Sequence, residues 1–488
     1  MVTQPRMQPS LSLLEPQLID RILQESFALI FERGVTVQGA VARELLSSAG
    51  ARVENGVAYI PESLARQAVE TVPRTFSLYN RAGEPTVHYG GEHVQFDPGS
   101  SCVNVLDSDT LERRLAKTAD LVRLVQVAEM LPQYAAQSTA VVCNEVPKGM
   151  GDLYRLYIVL RYSNKPIVTG AFAPRTAPVM IEMLAAESGG YEALRVKPRA
   201  VFDVCPSPPL HFSEFAACNL VELARAWVPA EIVPMPLAGV AAPVTLAGAI
   251  VQHAAESLSA MTIHQLAQPG APVVWGGAPA IFDMRTGIAA MGAVETCMLN
   301  AGCAQVGKSL GLPTHGYLIG SDAKTLDAQA GQESGIAATI GVLAGINMVS
   351  GAGMLDSLAC HSAEKLLMDA ESIAMAQRLH QGVEVRTESL AIEMFRKVGT
   401  QGDFLKLPET RRLFRNEQYI PGKEIDRGSH RSWEEAGKKG LFARTKERVD
   451  ELVATYQRPA LQPAVHQTLR NIVEEQARRE GVERLPEL

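Results

Sequence analysis

Eight short, apolar and β-branched runs recur between residues 94 and 380, and each is followed by a helix-like stretch. Parallel strands need crossover connections, usually helices, and strands covered by helices are buried on both faces. The alternation therefore predicts an α/β fold, a closed (β/α)8 TIM barrel that carries its chemistry at the C-terminal ends of the strands. The predicted strands are Val94–Phe96, Ser138–Val142, Pro166–Thr169, Ala200–Val204, Ile232–Leu237, Pro272–Trp275, Pro313–Leu318 and Asn347–Val349.

The residues on either side of the repeat predict two further regions around the barrel of residues 94–380. Residues 1–93 hold helix-like stretches and an Asn55-Gly56 turn between short apolar runs, which is a hairpin signal. We expect an N-terminal α/β layer here that packs on the barrel and plugs its bottom. Residues 381–488 predict a C-terminal helical extension. The clearest predicted helices are Leu14–Arg33, Ala40–Ser48, Thr118–Leu131, Gly149–Arg161, Leu246–Gln268, Ala328–Leu343 and His361–Gln381.

The C-terminal extension contains a locally basic stretch. Lys406–Arg448 holds twelve Lys/Arg against seven Asp/Glu, a local charge of +5, whereas the whole chain carries −7. A solvated helical cap explains such a stretch, and a docking surface for an acidic protein partner is the alternative. The chain has no long run of one sign, which argues against nucleic-acid binding because that needs a basic face.

The composition is typical of a globular protein with a large core, and we expect a cytoplasmic location. Hydrophobic residues make up 47% and charged residues 20% of the chain. The first twelve residues lack the apolar core of a signal peptide. Gly335–Leu355 is uncharged, but glycines interrupt it, so a buried helix running into a buried strand is expected instead of a membrane span. The seven cysteines include no CxxC pair, which favours free thiols over structural zinc.

Three segments at predicted strand ends combine glycines with polar side chains, namely 275–287, 313–333 and 351–364. Glycines after a strand let the backbone approach a ligand closely, and long loops after barrel strands collect binding groups. The sequence lacks the common signatures of serine hydrolases, P-loop enzymes, zinc proteases and dinucleotide-binding proteins. The segments therefore point to a binding site without a familiar catalytic motif.

The second segment offers two interpretations of its charged residues. Asp322, Asp327, Glu333 and His315 are a candidate metal set, yet Asp327 and Glu333 lie six apart on one predicted helix and point in different directions, so no metal is expected. Asp322 and Lys324 form either a loop ion pair that fixes the strand-to-helix turn or a polar wall that orients a substrate.

Aromatic residues are few, at 6% of the chain, and several fall at predicted strand ends. Each of them alone is explained by core packing. Together they could build an aromatic cage, the usual solution for binding a quaternary ammonium ion. These aromatic residues are Phe96, Phe172, Phe202, Trp275 and Tyr317.

The same segments resemble the trimethylamine methyltransferase family, in the branch that lacks pyrrolysine. The resemblance spans most of the chain and is therefore more specific than any single motif. It rests on residues 243–248 (PVTLAG), 282–287 (FDMRTG), 321–333 (SDAKTLDAQAGQE), 352–356 (AGMLD), 362–371 (SAEKLLMDAE) and 432–439 (SWEEAGKK).

The resemblance implies a barrel enzyme of one-carbon metabolism or methanogenesis that moves a methyl group from a methylated amine to the cobalt of a partner corrinoid protein. The chain would bind no cofactor tightly itself, because the partner carries the cobalamin. The sequence contains only the twenty standard residues, and relatives without pyrrolysine include enzymes for glycine betaine and similar quaternary amines. Glycine betaine is therefore the first expected substrate, with carnitine, proline betaine and choline as alternatives.

The resemblance also suggests roles for residues near the barrel mouth. The aromatic cage would face the ammonium group, a second set would bind a substrate carboxylate, and a third would position that set. The cage is Phe172, Phe202, Trp275 and Tyr317, the carboxylate set is His315, Arg285 and Lys324, and the positioning set is Asp322 and Gln329.

Chemistry agrees with a quaternary substrate. A quaternary nitrogen leaves as a neutral tertiary amine, so the enzyme can work mainly by holding the methyl group in line with cobalt. Two other functions stay open from the residues alone, a metal-dependent lyase or aldolase and a quaternary-amine binder without catalysis. The Ala- and Met-rich stretch Ser362–Gln377 offers a candidate interface for a homo-oligomer.

Overall fold

The computed structural model describes residues 8–482 and 484–486, and within them helices surround short strands. The helices are α1 (Pro16–Glu32), α2 (Ala40–Ser48), α3 (Glu62–Thr71), α4 (Thr118–Met130), α5 (Gly151–Tyr162), α6 (Thr176–Ser188), α7 (Tyr191–Val196), α8 (Glu214–Ala226), α9 (Leu246–Ala267), α10 (Val294–Ser309), α11 (Ala328–Leu343), α12 (Ala363–His380), α13 (Ile392–Val398), α14 (Pro408–Glu417), α15 (His430–Glu435), α16 (Leu441–Thr455) and α17 (Pro463–Arg479). Single 3₁₀ turns cover Lys148–Met150 and Phe404–Lys406.

The strands are short, and many of them pair in parallel. They are β1 (Val35–Val37), β2 (Arg52–Glu54), β3 (Val57–Tyr59), β4 (Phe76–Tyr79), β5 (Pro85–Tyr89), β6 (Gln95–Pro98), β7 (Asn104–Leu106), β8 (Arg113–Leu115), β9 (Gln137–Ser138), β10 (Ile167–Gly170), β11 (Ala200–Val204), β12 (His211–Phe212), β13 (Ala230–Ile232), β14 (Leu237–Ala238), β15 (Val273–Trp275), β16 (Ala280–Asp283), β17 (Ile288–Ala290), β18 (His315–Tyr317), β19 (Met348–Ala352), β20 (Met354–Leu355) and β21 (Cys360–His361).

Two parallel sheets form the centre of the fold. Strands β9, β10, β11, β13 and β15 pair in that order, and β6, β19 and β18 pair in a second sheet. One isolated bridge joins Trp275 to Thr314, and the amide of Ala135 donates to the carbonyl of Phe96 at the other seam. The mixed α/β class and the parallel order agree with the sequence, whereas closure into one continuous barrel stays a prediction because the ladders are interrupted at both seams.

Helix starts between the strands follow from ordinary capping chemistry. The side chains of Ser213, Thr245, Asp327 and Ser362 accept hydrogen bonds from backbone amides in the first turns of α8, α9, α11 and α12. Such caps satisfy amides that the helix itself leaves unpaired. Asp327, one of the candidate metal ligands, is therefore used as a cap.

The predicted strand Ile232–Leu237 is divided in two. β13 ends at Ile232 and β14 begins at Leu237. Pro234 and Pro236 lie between them and cannot donate hydrogen bonds to a ladder, so the run leaves the parallel sheet. β14 instead pairs with β16, which places two excursions of the chain side by side beyond the ends of β13 and β15.

The N-terminal region covers the parallel strands in two places. Helices α1, α2 and α3 pack on α9, which lies outside the strands. The β4–β5 hairpin instead places its apolar side chains against side chains from the strands themselves, in one buried cluster. That cluster contains Leu78, Val87, Tyr89, Ala136, Val168, Val201, Val274 and Met348.

The C-terminal region is less enclosed than the centre. Helices α13, α14 and α15 contribute no buried residue, whereas α16 packs on α4 and α12, and α17 packs on α5 and α6. Helix α12 is enclosed by α11, α16 and α4, so the stretch Ser362–Gln377 is not the free oligomer interface that the sequence suggested.

The fold shows where the long uncharged stretch and the cysteines of the chain lie. Among the described residues, no helix combines the length and apolar character needed to cross a bilayer. The uncharged stretch Gly335–Leu355 runs from α11 into β19, as the sequence predicted. All seven cysteines are free thiols.

Candidate active site

Alternation along the strands divides the side chains of β11 between two environments. Val201 belongs to the inner cluster beneath the hairpin, whereas Phe202 belongs to the outer core between strands and helices. Successive side chains of a strand point to opposite faces, so Asp203 points inward with Val201. The inner face of the parallel strands therefore changes from apolar to acidic toward their C-terminal ends.

Three inward carboxyl groups form an acidic centre, which we define as Asp97, Asp203 and Glu231. Asp203 and Glu231 are directly paired residues on β11 and β13, and this register brings their carboxyls close together on the inner face. Burial raises the pKa of Asp203 to about 7, and burial together with the neighbouring carboxyls raises the pKa of Glu231 well above its usual value. Burial likewise raises the pKa of Asp97. Like charges in a dry centre cannot all ionise, so the centre retains protons.

Neutral hydrogen-bonding groups surround the acidic centre. The Tyr89 hydroxyl donates to Glu231 Oε2 at 3.0 Å, which connects the β4–β5 hairpin to the site. His315 Nε2 and Ser350 Oγ lie 2.9 Å apart, and Ser350 donates to Asp97 Oδ1. A chain of polar contacts thus runs from Tyr89 through the centre to Asp97.

His315 completes this chain without carrying charge. Its Nδ1 lies 3.2 Å from Glu231 Oε1, although the two atoms are not aligned as a hydrogen bond. Burial lowers the pKa of His315 to about 3, so the imidazole is neutral at neutral pH. His315 therefore cannot attract a substrate carboxylate by charge, which was one of its expected roles.

Two of the four expected cage residues lie beside the acidic centre. The ring of Phe172 covers Gly170, where an added Cβ would meet Phe172 Cζ at 2.4 Å, and Gly170 pairs in register with Asp203. The side chain of Tyr317 is inward like that of His315, two residues earlier on β18. Its hydroxyl accepts a hydrogen bond from the Ser100 amide at 2.6 Å and donates to Met354 Sδ at 3.2 Å.

The other two expected cage residues point away from the centre, which corrects the sequence prediction. Phe202 is fully buried in the outer core. The Trp275 indole is fully buried too, donates from Nε1 to the Cys303 carbonyl at 2.9 Å, and packs on Gly307 of α10. Strand alternation sends both side chains outward, so neither can contact an amine held between the strands.

The two cations that were expected to bind a substrate carboxylate, Arg285 and Lys324, lie in surface loops and not at the acidic centre. Arg285 lies in the turn between β16 and β17, with its side chain 89% exposed and paired with Asp283 at 2.7 Å. Lys324 is exposed, pairs with Asp356 at 3.1 Å and donates to the Asp322 carbonyl. Arg285 pairs with a carboxylate of its own turn and Lys324 with a carboxylate of a neighbouring loop, so both cations are paired at the surface.

Asp322 fixes loops above the strands. Its carboxylate accepts hydrogen bonds from the amides of Met291 and Gly292 and from Ser357 Oγ, at 2.8–3.0 Å. These donors belong to the loops after β17 and after β20, so one carboxylate ties three loops together. Asp322 therefore has a positioning role, but for the loops of the site entrance and not for the expected cations.

Gln329 supports the loop of Asp322 indirectly, through Glu333. Its side-chain amide donates to Glu333 Oε1 at 2.8 Å, while Glu333 Oε2 accepts from the amide of Asp322. Across the described part of the chain, no group of three or more His, Cys, Asp or Glu side chains is arranged to hold a metal ion. The suggested metal set is therefore divided: Asp327 caps α11, Asp322 and Glu333 hold loops together, and His315 lies on the inner face of the strands.

The sequence prediction missed the residues that give the site its charge, namely Asp97, Asp203, Glu231 and Ser350. A signal for three of them was present in the sequence. Single carboxylates interrupt strand-like apolar runs in Val94–Pro98, Ala200–Val204 and Ala230–Val233. A buried acid in such a run is costly unless it is protonated or partnered, so its presence indicates a functional position.

An exposed apolar rim lies beyond β13 and β15, and we define it as Met235, Val240, Val244, Met284 and Ile288. Their relative exposures range from 42% to 74%. Gly239 lies between Met284 and Val244, because a Cβ there would meet both side chains within 3.9 Å. The rim is on the loops that follow the strands, the side on which barrel enzymes bind substrates.

Parallel strands surrounded by helices, with buried acids on the inner face and an apolar rim above, define an α/β protein with a buried acidic site toward the C-terminal ends of its strands. The profile of the family described as trimethylamine methyltransferase (MTTB) matches residues 2–481. The chain therefore belongs to the trimethylamine methyltransferase family, as its sequence motifs indicated.

Named relatives agree with this assignment. The chain is 30% identical to trimethylamine methyltransferase MttB of Desulfitobacterium hafniense strain DCB-2, over 92% of this chain and 91% of that protein. It is 27% identical to the glycine betaine methyltransferase of D. hafniense strain Y51, over 97% and 99%. The fold resembles the crystal structure of monomethylamine methyltransferase MtmB from Methanosarcina barkeri, with a TM-score of 0.53, 11% identity and coverage of 91% and 89%. The family match and the two sequence relatives support a methyltransferase, and the structural likeness supports the fold.

Proposed function

We propose that this protein transfers a methyl group from a quaternary amine to the Co(I) of a corrinoid carried by a partner protein. The observation that carries the proposal is the acidic centre of Asp97, Asp203 and Glu231, a buried group of carboxyls that a bound cation would favour in their ionised form. Relatives named for trimethylamine and for glycine betaine support a methylated amine as the donor. Glycine betaine is the donor that the sequence favours, and carnitine, proline betaine and choline are the alternatives.

The site residues would act by binding and orientation. The carboxyls of the acidic centre would hold the ammonium, while Phe172 and Tyr317 would face its methyl groups. A quaternary nitrogen departs as a neutral amine, so the leaving group needs no proton from the protein. This chemistry would need no activated nucleophile on the protein, because holding the methyl group in line with cobalt would supply much of the rate.

The corrinoid would supply the Co(I) nucleophile that accepts the methyl group. The apolar rim fits the approach of such a partner, because exposed apolar residues grouped on one face are typical of interaction surfaces. We also propose that the two parallel sheets act as a single barrel, since contacts at Trp275–Thr314 and Ala135–Phe96 connect their edges. The partner would then reach the acidic centre from the C-terminal ends of the strands.

An absorbance assay tests the proposal. Purified protein is mixed with free cob(I)alamin and one amine at a time, and conversion of Co(I) to methyl-Co(III) is followed. Tetramethylammonium, choline, carnitine, proline betaine and glycine betaine form the donor set, with trimethylamine as the tertiary comparison. We expect methyl-Co(III) with at least one quaternary amine and loss of this activity in Glu231→Gln.

The alternative function is a quaternary-amine binder without catalysis, which the acidic centre would also permit. Tight binding of a quaternary amine with no methyl-Co(III), even after addition of a corrinoid protein expressed with its own reductive activation system, would favour the binder. Transfer with trimethylamine alone would instead replace the quaternary donor with a tertiary one.

A further inference from the structure

The acidic centre differs from an ordinary ion pair because its neighbours supply no positive charge. The groups that face its carboxyls are Tyr89 from β5, Tyr134 from the segment before β9, Cys205 after β11, and His315 and Tyr317 from β18. The tyrosines and the cysteine have pKa values raised by burial, and the pKa of His315 is lowered. All five are therefore neutral at neutral pH. Among the described residues, none that faces the three carboxyls is a lysine or arginine.

Several carboxyl oxygens in the centre also lack a donor. Asp97 Oδ2, Asp203 Oδ1 and Glu231 Oε1 are buried and accept no aligned hydrogen bond in the described structure. Unpaired buried oxygens of this kind are costly, and three of them in one place point to a missing partner. A quaternary ammonium carries no N–H to donate, but its charge stabilises ionised carboxylates directly.

We infer that the acidic centre is an ammonium site that keeps its protons while it is empty and releases one to solvent when a permanent organic cation binds. The inference rests on the proposed amine substrate and adds how the site balances the charge of a buried cation. The exchange balances, because one bound cation replaces one proton on a carboxyl, and that proton passes to the buffer. The raised pKa of Asp203, about 7, makes its proton the one that leaves at neutral pH.

The same geometry assigns a substrate class. A carboxylate one methylene away from the ammonium, as in glycine betaine, would lie against Asp97, Asp203 or Glu231, which face no lysine or arginine among the described residues. Arg285 and Lys324 are paired in surface loops, and the buried Arg155 is already paired with Asp152 at 2.6 Å. The site therefore favours cations with a neutral or a distant anionic substituent, such as choline, over glycine betaine. This proposal reverses the order of donors that the sequence suggested.

Isothermal titration calorimetry tests the inference without methyl transfer. Tetramethylammonium, choline and glycine betaine are titrated at about pH 6, where a carboxyl with the raised pKa of Asp203 is still mostly protonated, in phosphate and in Bis-Tris, two buffers with different enthalpies of ionisation. The difference in binding enthalpy divided by the difference in buffer enthalpy gives the number of protons released. We expect about one proton per tetramethylammonium or choline, and glycine betaine should bind roughly tenfold more weakly than choline.

Two variants assign the proton to its carboxyl. Asp203→Asn should bind tetramethylammonium roughly tenfold more weakly and release much less than one proton. Asp283→Asn removes a carboxyl near the entrance that pairs with Arg285, and should leave both values unchanged. Asp97→Asn provides a second test if Asp203→Asn does not fold, as judged by circular dichroism.

Three results would overturn the inference: binding without proton release, no binding of any cation by the folded protein, or glycine betaine binding more tightly than choline. The proposed function fails separately. Proton-linked binding without methyl-Co(III) would keep the ammonium site and reject catalysis, whereas methyl transfer without proton release would keep catalysis and reject the proton exchange.

Discussion

Glu231 Oε1 and His315 Nδ1 lie 3.2 Å apart between β13 and β18, in a position where both side chains are essentially removed from solvent. The pair is not a salt bridge at neutral pH. Burial lowers the pKa of His315 to about 3 and raises that of Glu231, so the most stable form of the pair has a neutral imidazole. A neutral His315 adds no positive charge that would repel an ammonium ion.

The neutral state of His315 can be observed directly. In protein labelled with ¹³C-histidine, the imidazole resonance that disappears in His315→Gln should keep its neutral chemical shift from about pH 8 to pH 5. The physical reason is the cost of burying a charged imidazole next to Ser350 and Glu231. A midpoint above about pH 6 for that resonance would contradict the prediction and would make His315 a cation in the resting protein.

Trp275 should matter for stability and not for the amine. Trp275→Ala would leave a cavity against Gly307 and should lower the free energy of unfolding by about 3–5 kcal/mol. Trp275→Phe keeps most of the packing and loses mainly the hydrogen bond to Cys303, at about 1 kcal/mol. Urea unfolding measures both values, and methyl transfer per folded molecule of Trp275→Phe should stay near normal. A large loss of methyl transfer in the folded Trp275→Phe variant would indicate that Trp275 contacts the amine after all.

The sequence predicted the parallel strands well because their apolar runs and capped helices are local patterns. It placed Trp275 and Phe202 in the site because strand ends were known but strand phase was not. A shift of one residue exchanges the two faces of a strand, and apolar side chains fit both faces when both are buried. The acids on the inner strands set that phase: Asp203 and Glu231 pair in register, and Val201 therefore faces inward while Phe202 faces outward.

The loops were harder to predict for a different reason. Arg285 and Lys324 lie in polar segments, where sequence alone does not say which carboxylate each cation meets. Their partners, Asp283 and Asp356, lie two and 32 positions away, and only the folded chain brings Lys324 to Asp356. The distant contact of Asp322 with Met291 was equally invisible in the local pattern.

The ring of Phe172 lies over Gly170, in the space that a side chain at this position would fill. Gly170→Ala would place a Cβ 2.4 Å from Phe172 Cζ, so the ring must move away from the position beside Asp203. We expect weaker binding of tetramethylammonium, by about fivefold to tenfold, because a cation–π contact of about 1 kcal/mol is lost. Calorimetric titration measures the change.

Gly331→Ala is the matched control for this substitution. Gly331 lies on α11, and an added Cβ would meet nothing within 4 Å. Its replacement by alanine should leave amine affinity unchanged and stabilise the helix by up to about 1 kcal/mol. Equal affinities of Gly170→Ala and Gly331→Ala would show that the Phe172 ring does not contact the cation.

Glu256 should make the stability of the protein depend on pH. It is buried on α9, accepts hydrogen bonds from the Leu210 amide at 2.9 Å and from Gln252 at 3.0 Å, and has a pKa raised by burial from 4.5 to about 7. Between these values the folded protein holds a proton that the unfolded chain has lost. Stability from this proton is therefore complete below about pH 4.5 and falls as pH rises through 7.

Glu256→Gln removes this titration and keeps an oxygen that can accept both hydrogen bonds. The free energy of unfolding of the variant relative to the parent should rise by up to about 3 kcal/mol between pH 4.5 and 8, since one pKa unit corresponds to 1.36 kcal/mol. Other titrating groups are shared by both proteins and cancel in the difference. Urea unfolding of both proteins across this range measures the difference, and a difference that stays constant with pH would mean that the Glu256 carboxyl titrates alike in the folded and unfolded chains.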